Sequence, residues 1–74
     1  MRTKTKPKRK ALRNFRVSLD LTQAEFAEKI GYSRSVYSLI EQGKLNATQK
    51  FGLAIQKAFS VPDSDMWEML KMEE

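Results

Sequence analysis

Five side chains between positions 34 and 42 are the ones best suited to chemistry in this chain: Arg34, Ser35, Ser38, Leu39 and Gln42. On a helix turning about 100° per residue, Ser35, Ser38, Leu39 and Gln42 share one side, and Arg34 projects from the first turn. Val36, Tyr37 and Ile40 are expected to face inward. The outer side is short, polar and nearly uncharged, whereas a merely solubilising face would carry Lys and Glu. Hydroxyl and amide groups, a guanidinium and one methyl-bearing leucine match the donors, acceptors and thymine methyls on base edges in a duplex groove. Arg34 has the fork to bond guanine bidentately, and it would equally suit a phosphate.

Other chemistry is poorly provided for. The chain has no cysteine and no histidine, which removes a disulfide framework and makes a structural zinc site implausible. There is no phosphate-binding glycine loop, and the carboxylates fall at helix caps, on exposed faces or in an acidic tail. No enzyme, cofactor, metal or small-molecule substrate is expected. No apolar run approaches the roughly 20 residues needed to cross a bilayer, and no apolar signal core follows the basic N-terminus. A cytoplasmic protein without a membrane partner is the simplest reading.

The net charge of +5 conceals a gradient. Residues 1–16 carry eight positive charges and no acid, residues 17–62 sum to +1 and residues 63–74 to −4. Basic charge concentrated at one end is the pattern of a polyanion-contacting arm. Residues 1–6 contain no apolar side chain beyond Met1 and should form a flexible arm. Arg2, Lys4, Lys6, Lys8, Arg9 and Lys10 are the candidate backbone contacts there. Residues 7–74 make one domain.

The elements that must position the outer face follow from local rules. Pro7 suits a first helical turn, and Leu12, Phe15 and Leu19 have helical spacing, so a first helix is predicted over about 7–19, ended by Asp20 in a left-handed conformation. Thr22 with Glu25 makes a capping box, and Leu21 with Phe26 a hydrophobic staple, for a second helix that Gly31 stops. Ser33 caps a third helix, with Tyr32 and Tyr37 at the staple positions, and Gly43 terminates it. Two short helices joined by Gly31-Tyr32-Ser33 have the spacing of a helix-turn-helix. Thr48 caps a fourth helix with Phe51, Ala54, Ile55, Ala58 and Phe59 inward, and Gly52 is a weak spot in it, costing about 1 kcal/mol against Ala. Val61-Pro62 breaks that helix, and Asp63, Ser64 and Asp65 supply cap and acid for a short fifth. The predicted fold is all-α.

The chain from Leu12 to Val61 resembles the phage repressor and Cro-type, or XRE-type, helix-turn-helix family. The likeness is carried by L-T-Q-A-E-F-A-E-K-I-G-Y-S-R-S-V-Y-S-L-I-E-Q-G-K, Leu21 to Lys44. It extends upstream through L-R-N-F-R and downstream through N-A-T and K-A-F-S-V. The resemblance implies a compact five-helix bundle of the lambda-repressor type, with the helix at 34–42 in the major groove of double-stranded DNA. It implies a repressor of phage or prophage kind. Gln23 looks like the family's phosphate-binding glutamine, beside Thr22 at a helix N-terminus suited to a phosphate oxygen. Ala27 looks like the small residue that lets the second and third helices cross. Arg34 and Ser35 match the first base-reading positions, with Ser38, Leu39 and Gln42 on the same face. Lys44 and Asn46 match a stretch that touches phosphates. Arg16 and Glu41 match a structural ion pair, so Arg16 is not expected to bind DNA. The chain departs from the family at Leu39, where a polar or basic reader is usual, at Val36, which replaces a small hydroxyl residue, and at Asp20, where glycine or asparagine is preferred.

Met66, Trp67, Met69 and Leu70 are too many apolar residues for one side of a short last helix. They are candidate dimer contacts, since Met and aromatic residues are enriched at interfaces. The alternative is that Trp67 closes the core. A homodimer would read a palindromic operator with half-sites about one helical turn apart. A competing function is a protein-interaction module, such as an antitoxin-like partner, that uses Leu39 and the Met/Trp-rich C-terminal helix.

Overall fold

The computed structural model describes residues 8–72. Five helices, α1 (Lys10–Ser18), α2 (Gln23–Ile30), α3 (Arg34–Glu41), α4 (Gln49–Phe59) and α5 (Asp63–Met69), make an all-α bundle. There is no β-sheet among the described residues, and no helix among them is long and apolar enough to cross a membrane. The expectations for the arm at 1–6 and for Pro7 fall outside the described residues. The first helix starts later than its spacing predicts, at Lys10, with Arg9 as its N-cap.

Local capping sets the next three starts. Thr22 Oγ1 accepts from the Glu25 N–H at 3.1 Å, and the Thr22 N–H donates to Glu25 Oε1 at 2.8 Å, a complete capping box. Ser33 Oγ accepts from the Val36 N–H, and Thr48 Oγ1 from the Phe51 N–H, both at 3.2 Å. Gly31 and Gly43 both stand at φ +80°, where a side chain would be strained. Asp20 takes φ +61° just beyond α1, the left-handed conformation expected of it. The start of α5 corrects the prediction: Pro62 is the N-cap and no side chain caps it. Asp63 instead accepts a hydrogen bond from Gln56 Nε2, tying the end of α4 to the start of α5.

The core is aromatic at its centre. Phe26 stacks on Phe59 at 4.9 Å between centroids, and Phe15 meets both rings edge-on. Tyr37 lies 5.0 Å from Phe26, so α3 is anchored directly to the ring cluster. Pairs of this kind contribute about 0.5–1.5 kcal/mol beyond burial. Leu12, Ala27, Ile40, Phe51 and Ile55 complete the packing around them. In α4, Ala58 is exposed rather than inward, while Gly52 is buried.

Gly52 is more than a weak point in α4. A Cβ there would lie 2.7 Å from Met66 Sδ and 2.9 Å from its Cε. The missing side chain gives α5 its seat against α4. Met66 and Met69 are accordingly core residues, 5% and 6% exposed. This corrects their assignment to a dimer contact, because a side chain buried within one subunit offers nothing to another. Leu70 is half-buried against the same core. Trp67 does not close the core; it is 61% exposed.

Candidate nucleic-acid interface

The third helix is held from behind by a four-residue polar network. Glu41 is 6% exposed. Its carboxylate accepts from Arg16 Nε at 2.9 Å, Tyr37 Oη at 2.6 Å and Gln23 Nε2 at 2.9 Å. Arg16 also donates to the Leu21 carbonyl at 2.8 Å, so α1, α2 and α3 meet at one charge pair. Burial raises the Glu41 pKa, but the hydrogen bonds from Arg16, Tyr37 and Gln23 outweigh it and hold the carboxyl below its ordinary value. No buried side-chain nitrogen or oxygen lacks a partner among the described residues.

With its inner side so occupied, α3 turns another side outward. Arg34, Ser35, Ser38 and Leu39 line one shallow surface groove. Arg34, Ser35 and Leu39 are exposed and Ser38 is half-buried. Gln42, just past the helix, is exposed, and its Nε2 donates to Ser38 Oγ at 2.8 Å. Val36 corrects the prediction: it is exposed, not inward. The inward stripe is Tyr37, Ile40 and Glu41, at i, i+3 and i+4.

This geometry can be set beside known proteins. The helix-turn-helix family profile matches residues 12–65, a span that takes in the two capped helices, the turn and the helices flanking them. The chain belongs to the XRE-type helix-turn-helix family. A protein from Methanocaldococcus jannaschii, named an uncharacterized HTH-type transcriptional regulator, is 36% identical over 56 residues, 76% of this chain and 85% of the relative. Two proteins of the same description from Archaeoglobus fulgidus are 30% and 29% identical over 59 residues, each alignment taking in 80% of this chain and more than four-fifths of the relative. No solved structure gives a significant match.

Within the helix-turn-helix, the expected backbone contacts separate into two groups. Lys44 and Asn46 are exposed in the loop after α3. Lys44 is fixed there by its N–H, which donates to the Leu39 carbonyl at 2.8 Å. Thr22 and Gln23 are partly engaged. The Thr22 N–H already serves Glu25, whose carboxyl is held below its usual range first by that backbone bond and then by the Thr22 hydroxyl. One amide N–H of Gln23 goes to Glu41, leaving its second for an outside acceptor.

Arg9 is the largest correction. Expected as an arm residue on phosphate, it is 6% exposed. Its Nη1 donates to the Ile40 carbonyl at 2.7 Å and to the Leu45 carbonyl at 3.0 Å, and its Nε to the Leu70 carbonyl at 3.1 Å. Its own N–H donates to the Glu41 carbonyl at 3.1 Å. The guanidinium thus joins carbonyls at the ends of α3 and α5 and in the loop after α3, sharing the Ile40 carbonyl with the Gly43 N–H. Sequence reasoning missed this because the partners lie 31, 36 and 61 positions away. Lys8 and Lys10 flank this anchored residue and are exposed. Arg2, Lys4 and Lys6 lie outside the described residues.

Proposed function

We propose that this protein is a sequence-specific transcriptional regulator that binds double-stranded DNA, with residues 34–42 in the major groove. The observation that carries the reading is the outward groove of Arg34, Ser35, Ser38 and Leu39 on a helix whose other side is locked into the core. Arg34 supplies a fork for guanine, the two serines supply donors and acceptors, and Leu39 packs on thymine methyls. Lys44, Asn46, the second amide N–H of Gln23 and the basic N-terminal segment hold phosphates. The names given to the relatives agree with a regulator.

The finer reading is a repressor of phage or prophage kind that acts as a homodimer on a palindromic operator. What supports a dimer is the exposed Trp67 beside Leu53, which is 54% exposed, along a groove between α4 and α5. Trp67 replaces the broader Met/Trp contact in this role.

Selection of bound duplexes from a random pool tests the proposal. A palindromic motif is expected, with base preference relaxed at one position by Arg34→Ala and at a neighbouring one by Ser35→Ala. A pool that emerges without enrichment would leave the interaction-module reading in possession of Leu39 and Trp67.

A further inference from the structure

Two adjoining clefts at the start of α1 are lined by cations. Lys8, Lys10, Arg13 and Asn14 line one, and Lys8, Arg9, Lys10, Arg13, Glu41 and Gln42 line the other. Glu41 is the one carboxylate among these lining residues, and its oxygens are turned to Arg16, Tyr37 and Gln23. The Arg9 guanidinium is committed to carbonyls. What the clefts present outward includes Lys8, Arg13 and the Asn14 amide, all exposed. Among the described residues, the exposed carboxylates are Asp20, beyond the far end of α1, and those of α2 and α5.

This basic surface is continuous with the outer face of α3. Gln42 lines the cleft and donates to Ser38, which lines the recognition groove. Arg9 makes the arrangement rigid, because its N–H on Glu41 and its guanidinium on Ile40 clamp the entry to α1 against the end of α3. Helix α1 brings no side-chain cap and no acid in its first turn to this surface.

We propose that this cleft is a preformed site for the sugar–phosphate backbone of the duplex, beyond the C-terminal end of the recognition helix, with Arg13 and Asn14 as its fixed ligands and Lys8 beside them. The proposal rests on the DNA-binding reading above. It adds a rigid phosphate contact from α1, distinct from a mobile arm.

The test is the salt dependence of binding to a duplex obtained by selection, using the full chain. Arg13→Gln is expected to weaken binding and make the slope of log affinity against log salt shallower by about 0.9, the value of one phosphate contact. Lys8→Gln added to it flattens the slope by about as much again. Base preference stays unchanged in both. Lys57→Gln removes the same charge from a separate groove beside Lys29, Ala54 and Ala58 and should leave the slope as it was. Circular dichroism confirms that each variant is folded. An Arg13→Gln slope equal to that of Lys57→Gln overturns the proposal and leaves DNA binding intact. A change in base preference with Arg13→Gln overturns the assignment to phosphate. Wild-type chain that enriches no duplex overturns the DNA-binding reading and this proposal with it.

Discussion

Tyr37 Oη donates to Glu41 Oε2 across 2.6 Å, one turn apart on α3. With Arg16 and Gln23 on the same carboxylate, this bond gives the helix its rotational setting. A carboxylate so placed is an electrostatic pivot: it is buried, it draws donors from three helices, and its loss strands Arg16. The same contacts decide which residues of α3 are left to meet a ligand.

Acid should reveal the Glu41 contribution. Its folded pKa lies below the unfolded value of about 4.3, so its stabilisation is complete above that value and is lost as pH falls through the folded one. Glu41→Gln is expected to lower stability at neutral pH by about 3 kcal/mol, because Arg16 loses its counter-charge. It also shallows the decline of stability in acid, with Glu25 retaining a share. Urea unfolding at pH 7 and at progressively lower pH measures both effects. Parallel acid limbs for variant and parent would remove Glu41 from this role.

Alkali should reveal Tyr37. Burial, reinforced by the neighbouring Glu41 carboxylate, raises its pKa far above the ordinary value of about 10. Its contribution is complete below that ordinary value and is lost as pH climbs toward the folded one. Tyr37→Phe therefore costs about 2 kcal/mol at neutral pH, as expected for a hydrogen bond to a charged group, and blunts the loss of stability above about pH 10. Tyrosinate absorbance followed alongside circular dichroism should show Tyr37 ionising only as the helices unfold. Ionisation of both tyrosines in a still-folded chain would contradict the prediction.

Gly52 and Met66 should be energetically coupled. In a Met66→Ala background, Gly52→Ala is expected to stabilise by about 1 kcal/mol, the helix-propensity difference. In the parent chain the same change displaces Met66 Sδ and Cε, and the gain is reduced or reversed. A double-mutant cycle by thermal or urea unfolding measures the difference. Equal effects in the two backgrounds would mean that the thioether moves aside at no cost.

The features legible in the sequence were those set by neighbours along the chain. Thr22, Ser33 and Thr48 cap the helices they were expected to cap, and Gly31 and Gly43 take the left-handed conformation. The errors in α3 and α5 have one origin. In each, the inward stripe follows i, i+3, i+4: Tyr37, Ile40, Glu41 in one, and Met66, Met69 and the half-buried C-cap Leu70 in the other. Val36 and Trp67 sit one residue off those stripes. Their apolar character suggested burial or contact, but helix rotation is fixed by the strongest stripe. Glu41 can belong to such a stripe because Arg16 and Gln23 reach it from α1 and α2 and Tyr37 from α3 itself. Arg9 could not be read at all, since its chemistry is that of an arm residue and its partners are distant backbone carbonyls.

The Arg9–Leu70 contact joins positions 61 residues apart, near the two extremities of the described chain. Loop closure over that separation is entropically demanding, so the contact forms after the local helices and the aromatic cluster are in place. It also fastens the entry to α1 to the end of α5. Fraying that frees the last turn of α5 also loosens the entry to α1, and a duplex that clamps the basic entry would quieten that turn of α5.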